Sequence, residues 1–227
     1  MTTHSDAAGG SDGAFSALAR LSSPERVVTL TDGVFAIVLT LLVLEIAVPD
    51  HLSEQSLRHV LEELRPSVVA WVISFMITAM YWMAHRDLFL RVRWVNRDLV
   101  WLNLLFLLPV GLIPFASSLL GKYPDDATAL RFYGVVLIVA TTMRLVLYAY
   151  VVRRPALLDP ERVPERIGIG LTIAAAPVLV YVIAMAVAGA STTASLILYF
   201  SVPILYFLLV TLLRDRGGTR SEAEQFT

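Results

Sequence analysis

Six long apolar stretches, at residues 27–48, 66–84, 99–120, 130–152, 167–189 and 193–213, limit what this chain can fold into more than any other feature. A helix crosses a hydrocarbon core about 30 Å thick with about 20 apolar residues. No water reaches that core, so each crossing must satisfy its own backbone as a helix. The interruptions are short and turn-like or charged (PDHLSEQ, HRDLFLRVRWVNRD, GKYPDD, RRPALLDPERVPER, GAST), so none holds a further domain. The expected fold class is an all-α integral membrane protein with six transmembrane helices per subunit. Residues 1–24 read as a disordered tail without the basic start and apolar run of a signal peptide. Residues 25–214 read as the membrane domain and 215–227 as a polar tail.

Composition agrees. Of 227 residues, 57% are hydrophobic and 16% charged, against about 25% charged in a soluble domain, and the mean hydropathy is +0.70. With 18 Lys+Arg against 19 Asp+Glu, there is no cationic excess to recruit nucleic acid. Cysteine is absent, which removes disulfides, thiolate metal sites and thiol catalysis. His4, His51, His59 and His85 lack metal-ligand spacing. No nucleotide-binding, zinc-protease or serine-hydrolase motif is present. The chain is expected to be no enzyme and to need no cofactor.

Arginines set the expected orientation. Arg20, Arg26, Arg86, Arg91, Arg93, Arg97, Arg153, Arg154, Arg162, Arg166, Arg214, Arg216 and Arg220 all fall on one side of a six-span chain. The other side holds Arg58, Arg65, Lys122 and Arg131, and Arg144 lies within a span. The positive-inside rule then places both termini in the cytoplasm.

The first span carries Asp32, a carboxylate that is costly at membrane depth and must face protein or water. It is either a functional group or a structural hydrogen-bond acceptor. Gly33 beside it permits close helix approach. Ile37, Thr40, Leu41 and Leu44 follow at i, i+3, i+4 and i+7, which is one helix face. Such a face often only packs, and Thr40 can bond its own backbone. The second span places Ser74, Thr78, Tyr81 or Trp82, and His85 along one stripe. In the third, Asn103 needs a partner, and Pro109 and Pro114 predict a kink. Arg144 is expected to face the bundle or to snorkel.

The run from Arg26 through Thr31-Asp32-Gly33 closely resembles the R-x-x-x-F-S-D-G signature that opens the first helix of the transmembrane protein 175 potassium-channel family. Leu30 stands in place of Phe and Thr31 in place of Ser. Tyr81, Trp82 and His85 resemble that family's second block; Asn103 with Pro114-Phe115 resembles its third. The resemblance implies a bacterial member that conducts K+ selectively and passively. It also implies a homotetramer in the cell (inner) membrane, around a central pore lined by the first helix. Ile37, Leu41 and Leu44 would form a hydrophobic constriction, with Ile37 and Thr40 at the selective position. Arg26, Thr31, Asp32 and Gly33 would be structural, with His85 and Asn103 as hydrogen-bond partners. The partners implied are K+, other copies of the chain and membrane lipid. Two other readings compete: a proton- or ion-coupled secondary transporter using Asp32 or Glu45, and an accessory membrane subunit without a pathway.

Overall fold

The computed structural model describes residues 22–46, 57–162 and 167–224, with the side chains of the last helix described to Leu209. Residues 1–21, expected as part of a tail, and the loop 47–56 lie outside these. The described residues form seven α-helices: α1 (Glu25–Leu44), α2 (Leu57–Phe89), α3 (Arg97–Gly111), α4 (Ile113–Lys122), α5 (Ala127–Val152), α6 (Ile167–Val187) and α7 (Thr192–Glu224). Because α3 and α4 are two halves of one crossing, six segments are long and apolar enough to span a bilayer. The chain is a multi-pass membrane protein.

The break between α3 and α4 falls at Leu112, where the sequence places a kink. Pro114 has no N–H to offer the Val110 carbonyl. The Leu112 N–H closes the end of α3 onto Pro109 and Val110 instead. α2 is longer than the apolar stretch implies. It begins nine residues before Pro66, in a segment where Arg58 pairs with Glu62 and His59 with Glu63, each at 3.1 Å and at i,i+4 spacing. Asp126 caps α5 by accepting from the Thr128 N–H at 2.7 Å, which holds its carboxyl below the usual carboxylate range.

α5 is the hub, packing against α3, α4, α6 and α7; α2 packs against α1, α4 and α7. In hydrocarbon, apolar side chains gain little by leaving lipid for one another, so close packing and interhelical hydrogen bonds hold the bundle. Tyrosines supply several. Tyr81 on α2 reaches Thr141 Oγ1 at 2.8 Å and donates to the Leu137 carbonyl at 3.1 Å. Tyr133 on α5 meets Ser74 at 2.9 Å, and Tyr199 on α7 donates to the Leu130 carbonyl at 2.9 Å.

At the arginine-rich end the loops are tied to one another. Ser22 and Val95 exchange two backbone hydrogen bonds of 2.8 and 2.9 Å. The Arg93 N–H donates to Leu157 at 2.8 Å and the Asp159 N–H to Arg91 at 2.9 Å. The stretch from Ser22 is therefore already held against the loop before α3, within the last residues of the expected tail.

Two glycines test the packing argument. A Cβ at Gly121 on α4 would lie 2.9 Å from Ser67 Cα, a backbone atom that cannot swing away. At Gly111 it would meet nothing within 4 Å. Gly121→Ala is expected to cost about 1–3 kcal/mol as overpacking, and Gly111→Ala to be neutral or slightly stabilising. Thermal unfolding midpoints of the two variants in one detergent check this.

Candidate functional site

α1 has two faces of different character. Thr31, Phe35, Val38 and Leu42, at successive helical turns, are buried against the bundle. The opposite face carries Thr29, Gly33, Ala36, Ile37, Thr40, Leu41 and Leu44, all exposed in the single chain. Ile37 is 59% and Leu44 73% exposed, so the subunit does not cover this face itself. Gly33 lies on it: a Cβ there would meet nothing within 4 Å, so the glycine serves no close contact inside the subunit.

The buried face is anchored by a directional chain of hydrogen bonds. Thr31 Oγ1 donates to the Val27 carbonyl one turn back, at 2.8 Å. Its lone pairs are then free to accept from Asn103 Nδ2 on α3, at 2.9 Å. That turns Asn103 Oδ1 toward His85 Nε2 on α2, 2.8 Å away. Since Oδ1 can only accept, the imidazole carries its proton on Nε2. Thr31, His85 and Asn103 are all essentially excluded from solvent. The His85 ring is stacked between Phe89, with centroids 4.3 Å apart, and Phe106, at 5.9 Å. Three helices are thus joined through one asparagine.

Asp32 does not enter that chain. Adjacent helical residues point about 100° apart, so when Thr31 turns inward Asp32 turns aside. There it accepts from Trp82 Nε1 on α2 at 2.8 Å. The partner expected from the sequence was His85 or Asn103; Trp82 is the one missed, although it belongs to the same Tyr81-Trp82-His85 block. Arg26 also stands apart: it is exposed, five residues before Thr31, with no hydrogen bond or ion pair among the described residues. Thr40 donates back to the Ala36 and Ile37 carbonyls, both at 2.9 Å. With its proton committed to its own helix, it can present only lone pairs outward.

The two side-chain contacts of α1, with Asn103 on α3 and with Trp82 on α2, should respond differently to substitution. Asn103→Leu strands a buried imidazole N–H and is expected to cost about 1–2 kcal/mol. Asp32→Asn keeps an acceptor for Trp82 and should shift stability by less than about 0.5 kcal/mol. Thermal midpoints of both variants, beside Asp32→Leu, check the ranking.

Comparison with known proteins places this arrangement. A family model described as the endosomal/lysosomal potassium channel TMEM175 matches residues 26–114, which include the whole hydrogen-bonded anchor. A protein named as a potassium channel in Streptomyces collinus is 36% identical over 140 residues, covering 60% of this chain and 68% of its own length. The mouse protein named as the endosomal/lysosomal proton channel TMEM175 is 39% identical over 115 residues, covering 46% of this chain and 23% of its own. The crystal structure of a lysosomal potassium-selective channel TMEM175 homolog from Chamaesiphon minutus superposes with a TM-score of 0.72 at 26% identity, covering 81% of this chain and 96% of that one. On its sequence and its fold, the chain belongs to the TMEM175 family.

Proposed function

We propose that this protein is a potassium-selective channel of a bacterial inner membrane, with both termini cytoplasmic. In this reading four copies assemble around a central pore lined by α1. The observation that carries it is the uncovered face of α1, where small and hydroxyl-bearing residues interleave with Ile37, Leu41 and Leu44. A single subunit offers one such face, so a pathway requires closed symmetric assembly around it. The names of the Streptomyces and Chamaesiphon relatives support potassium as the permeant ion.

The physics of conduction follows from the spacing. Ile37 to Leu44 spans seven residues, about 10 Å along the axis, so their rings would make a short apolar throat. Aliphatic rings offer no ligand to a cation losing its water, and such a constriction controls passage by wetting and dewetting. Thr40 lies one turn beyond Ile37, and its outward lone pairs suit a cation, since the hydroxyl proton is held by the Ala36 and Ile37 carbonyls. A ring of four such oxygens would replace part of the hydration shell at the end of the throat. Arg26 and Gly33, both uncovered in the single chain, would then lie at or near subunit boundaries. Conduction is passive, with no cofactor and no chemical step.

The rival reading, a carrier that couples ion movement to titration of Asp32, differs in what it requires of that residue. Here Asp32 is engaged by Trp82, and a neutral asparagine satisfies the same contact. The test is flux from purified protein in vesicles, with potassium, sodium and proton gradients imposed separately. Wild type should pass potassium over sodium without proton movement in exchange, and Asp32→Asn should conduct as wild type does. Thr40→Val, which keeps the shape and removes the oxygen, should lower the potassium-to-sodium ratio by about fivefold, the equivalent of about 1 kcal/mol for one lost polar contact. Ile37→Asn should raise flux of both ions by wetting the throat. Loss of coupled transport in Asp32→Asn would establish the carrier, and silence in Ile37→Asn would exclude α1 as the pore.

A further inference from the structure

Arg144 is a guanidinium deep in the membrane domain, 8% exposed, about 12 Å along α5 from its end at Val152. Its Nη2 donates to the Ala174 carbonyl on α6 at 2.8 Å, while Nε is buried without a partner. No carboxylate lies within ion-pairing distance of it among the described residues. A charge at this depth is normally matched by a counter-ion or by a water-filled cavity, and a cavity is present. Arg144 lines a pocket of about 170 Å³ between α2, α5, α6 and α7, together with Arg91, Tyr148 and Tyr206. Arg91 is half-buried and, like the two phenol hydroxyls, has no side-chain hydrogen bond or ion pair among the described residues. Asp87 supplies one negative charge at the rim, where it leans toward Arg86 at 3.8 Å. The pocket is left with a cationic excess and unused donors.

A second observation identifies the class of ligand. The pocket shares Ile173 and Tyr206 with an adjoining groove of about 200 Å³ between α6 and α7, lined almost entirely by apolar side chains such as Ala176, Pro177, Val180 and Leu205. The cationic end lies on the side of the arginine-rich loops, and the apolar end runs toward mid-membrane. A free anion would use only the first part; a membrane phospholipid would use both.

We propose that the α2–α5–α6–α7 pocket with its adjoining groove binds an anionic phospholipid, its phosphate held by Arg144 and Arg91 and one acyl chain laid between α6 and α7. The site is separate from the α1 face and stands independently of the channel reading. Basic pockets between membrane helices are suited to such headgroups, and each arginine near the surface contributes about fivefold in affinity.

The test reconstitutes the full-length protein in vesicles of equal parts phosphatidylglycerol and phosphatidylcholine, extracts it in detergent and quantifies the lipid that stays bound. Wild type should retain phosphatidylglycerol over phosphatidylcholine. Arg91→Gln should cut that enrichment about fivefold, and Arg144→Gln at least as much, with unchanged size-exclusion profiles. Ala176→Phe, which fills the groove and leaves both arginines, should reduce it as well. Arg93→Gln, an exposed arginine outside the pocket, should leave it intact. Equal retention of the two lipids, an unaltered enrichment in Arg91→Gln, or an equal loss in Arg93→Gln would each overturn the proposal. So would enrichment that survives Ala176→Phe and is displaced by inorganic phosphate, because the site would then take the phosphate group alone.

Discussion

A polar atom inside a bilayer finds hydrogen-bond partners only within protein, and much of this fold follows from that scarcity. Asn103 shows it most directly. Its amide brings two donor hydrogens and a carbonyl oxygen into the interior, and both ends are taken up, by Thr31 on α1 and His85 on α2. Lipid would receive a leucine at position 103 as readily as the protein does, so an apolar residue there would not define where α1 sits. The asparagine does. Each link fixes the next: the Val27 carbonyl orients the Thr31 hydroxyl, the hydroxyl orients the amide, and the amide selects the imidazole tautomer. The tyrosine contacts from α2 and α7 to α5 apply the same principle deeper in the bundle.

Anchoring one face of α1 decides what its other face can be. With Thr31, Phe35, Val38 and Leu42 turned inward, the residues half a turn away must look outward, and their chemistry differs from that of a plain lipid-facing surface. The outward stripe in the second half of α6 is Leu179, Val182, Ile183 and Ala186, aliphatic and without a hydroxyl. On α1 the outward stripe interleaves Gly33, Ala36 and Thr40 with its aliphatics. Small residues leave room for another helix, and a hydroxyl that has given its proton to its own backbone is an acceptor. The anchor is thus the reason a pathway-like surface has a defined orientation relative to the rest of the subunit.

The sequence made the crossings legible because hydropathy over 18 or more residues reports membrane depth directly. It made the kink legible because a proline removes a specific hydrogen bond, here at Leu112. It did not reveal that α2 begins at Leu57, since the extension leaves the apolar pattern and relies on ion pairs one turn apart. For the anchor, the block resemblance selected Thr31, His85 and Asn103, which the fold brings together, and Asp32, which it sends to Trp82. The one-residue step between Thr31 and Asp32 was the available signal, because adjacent residues cannot share a partner on one face. Tyr133, Tyr181 and Tyr199, wholly buried in mid-bundle, were not singled out. Tyrosine in a membrane protein suggests the interface first, and only their position far from the span ends argues otherwise.

Arg144 follows the same logic from the opposite side. Where Asn103 has its amide met on both ends, Arg144 has one carbonyl acceptor and a charge left over. Both residues are buried in the same bundle, so the difference lies in what surrounds them. Asn103 is enclosed by Thr31, His85 and the aromatic rings on either side of the imidazole. Arg144 borders a cavity that opens beside Arg91, two tyrosine hydroxyls and an apolar groove. Among the described residues Trp71 Nε1, Thr78 Oγ1 and Tyr181 Oη are likewise buried without a partner, but of the four only Arg144 carries a charge, and the cavity beside it has the shape of an amphiphile. Satisfied polar groups in this protein determine where helices stand; the buried charge without a counter-ion marks a surface completed from outside the chain.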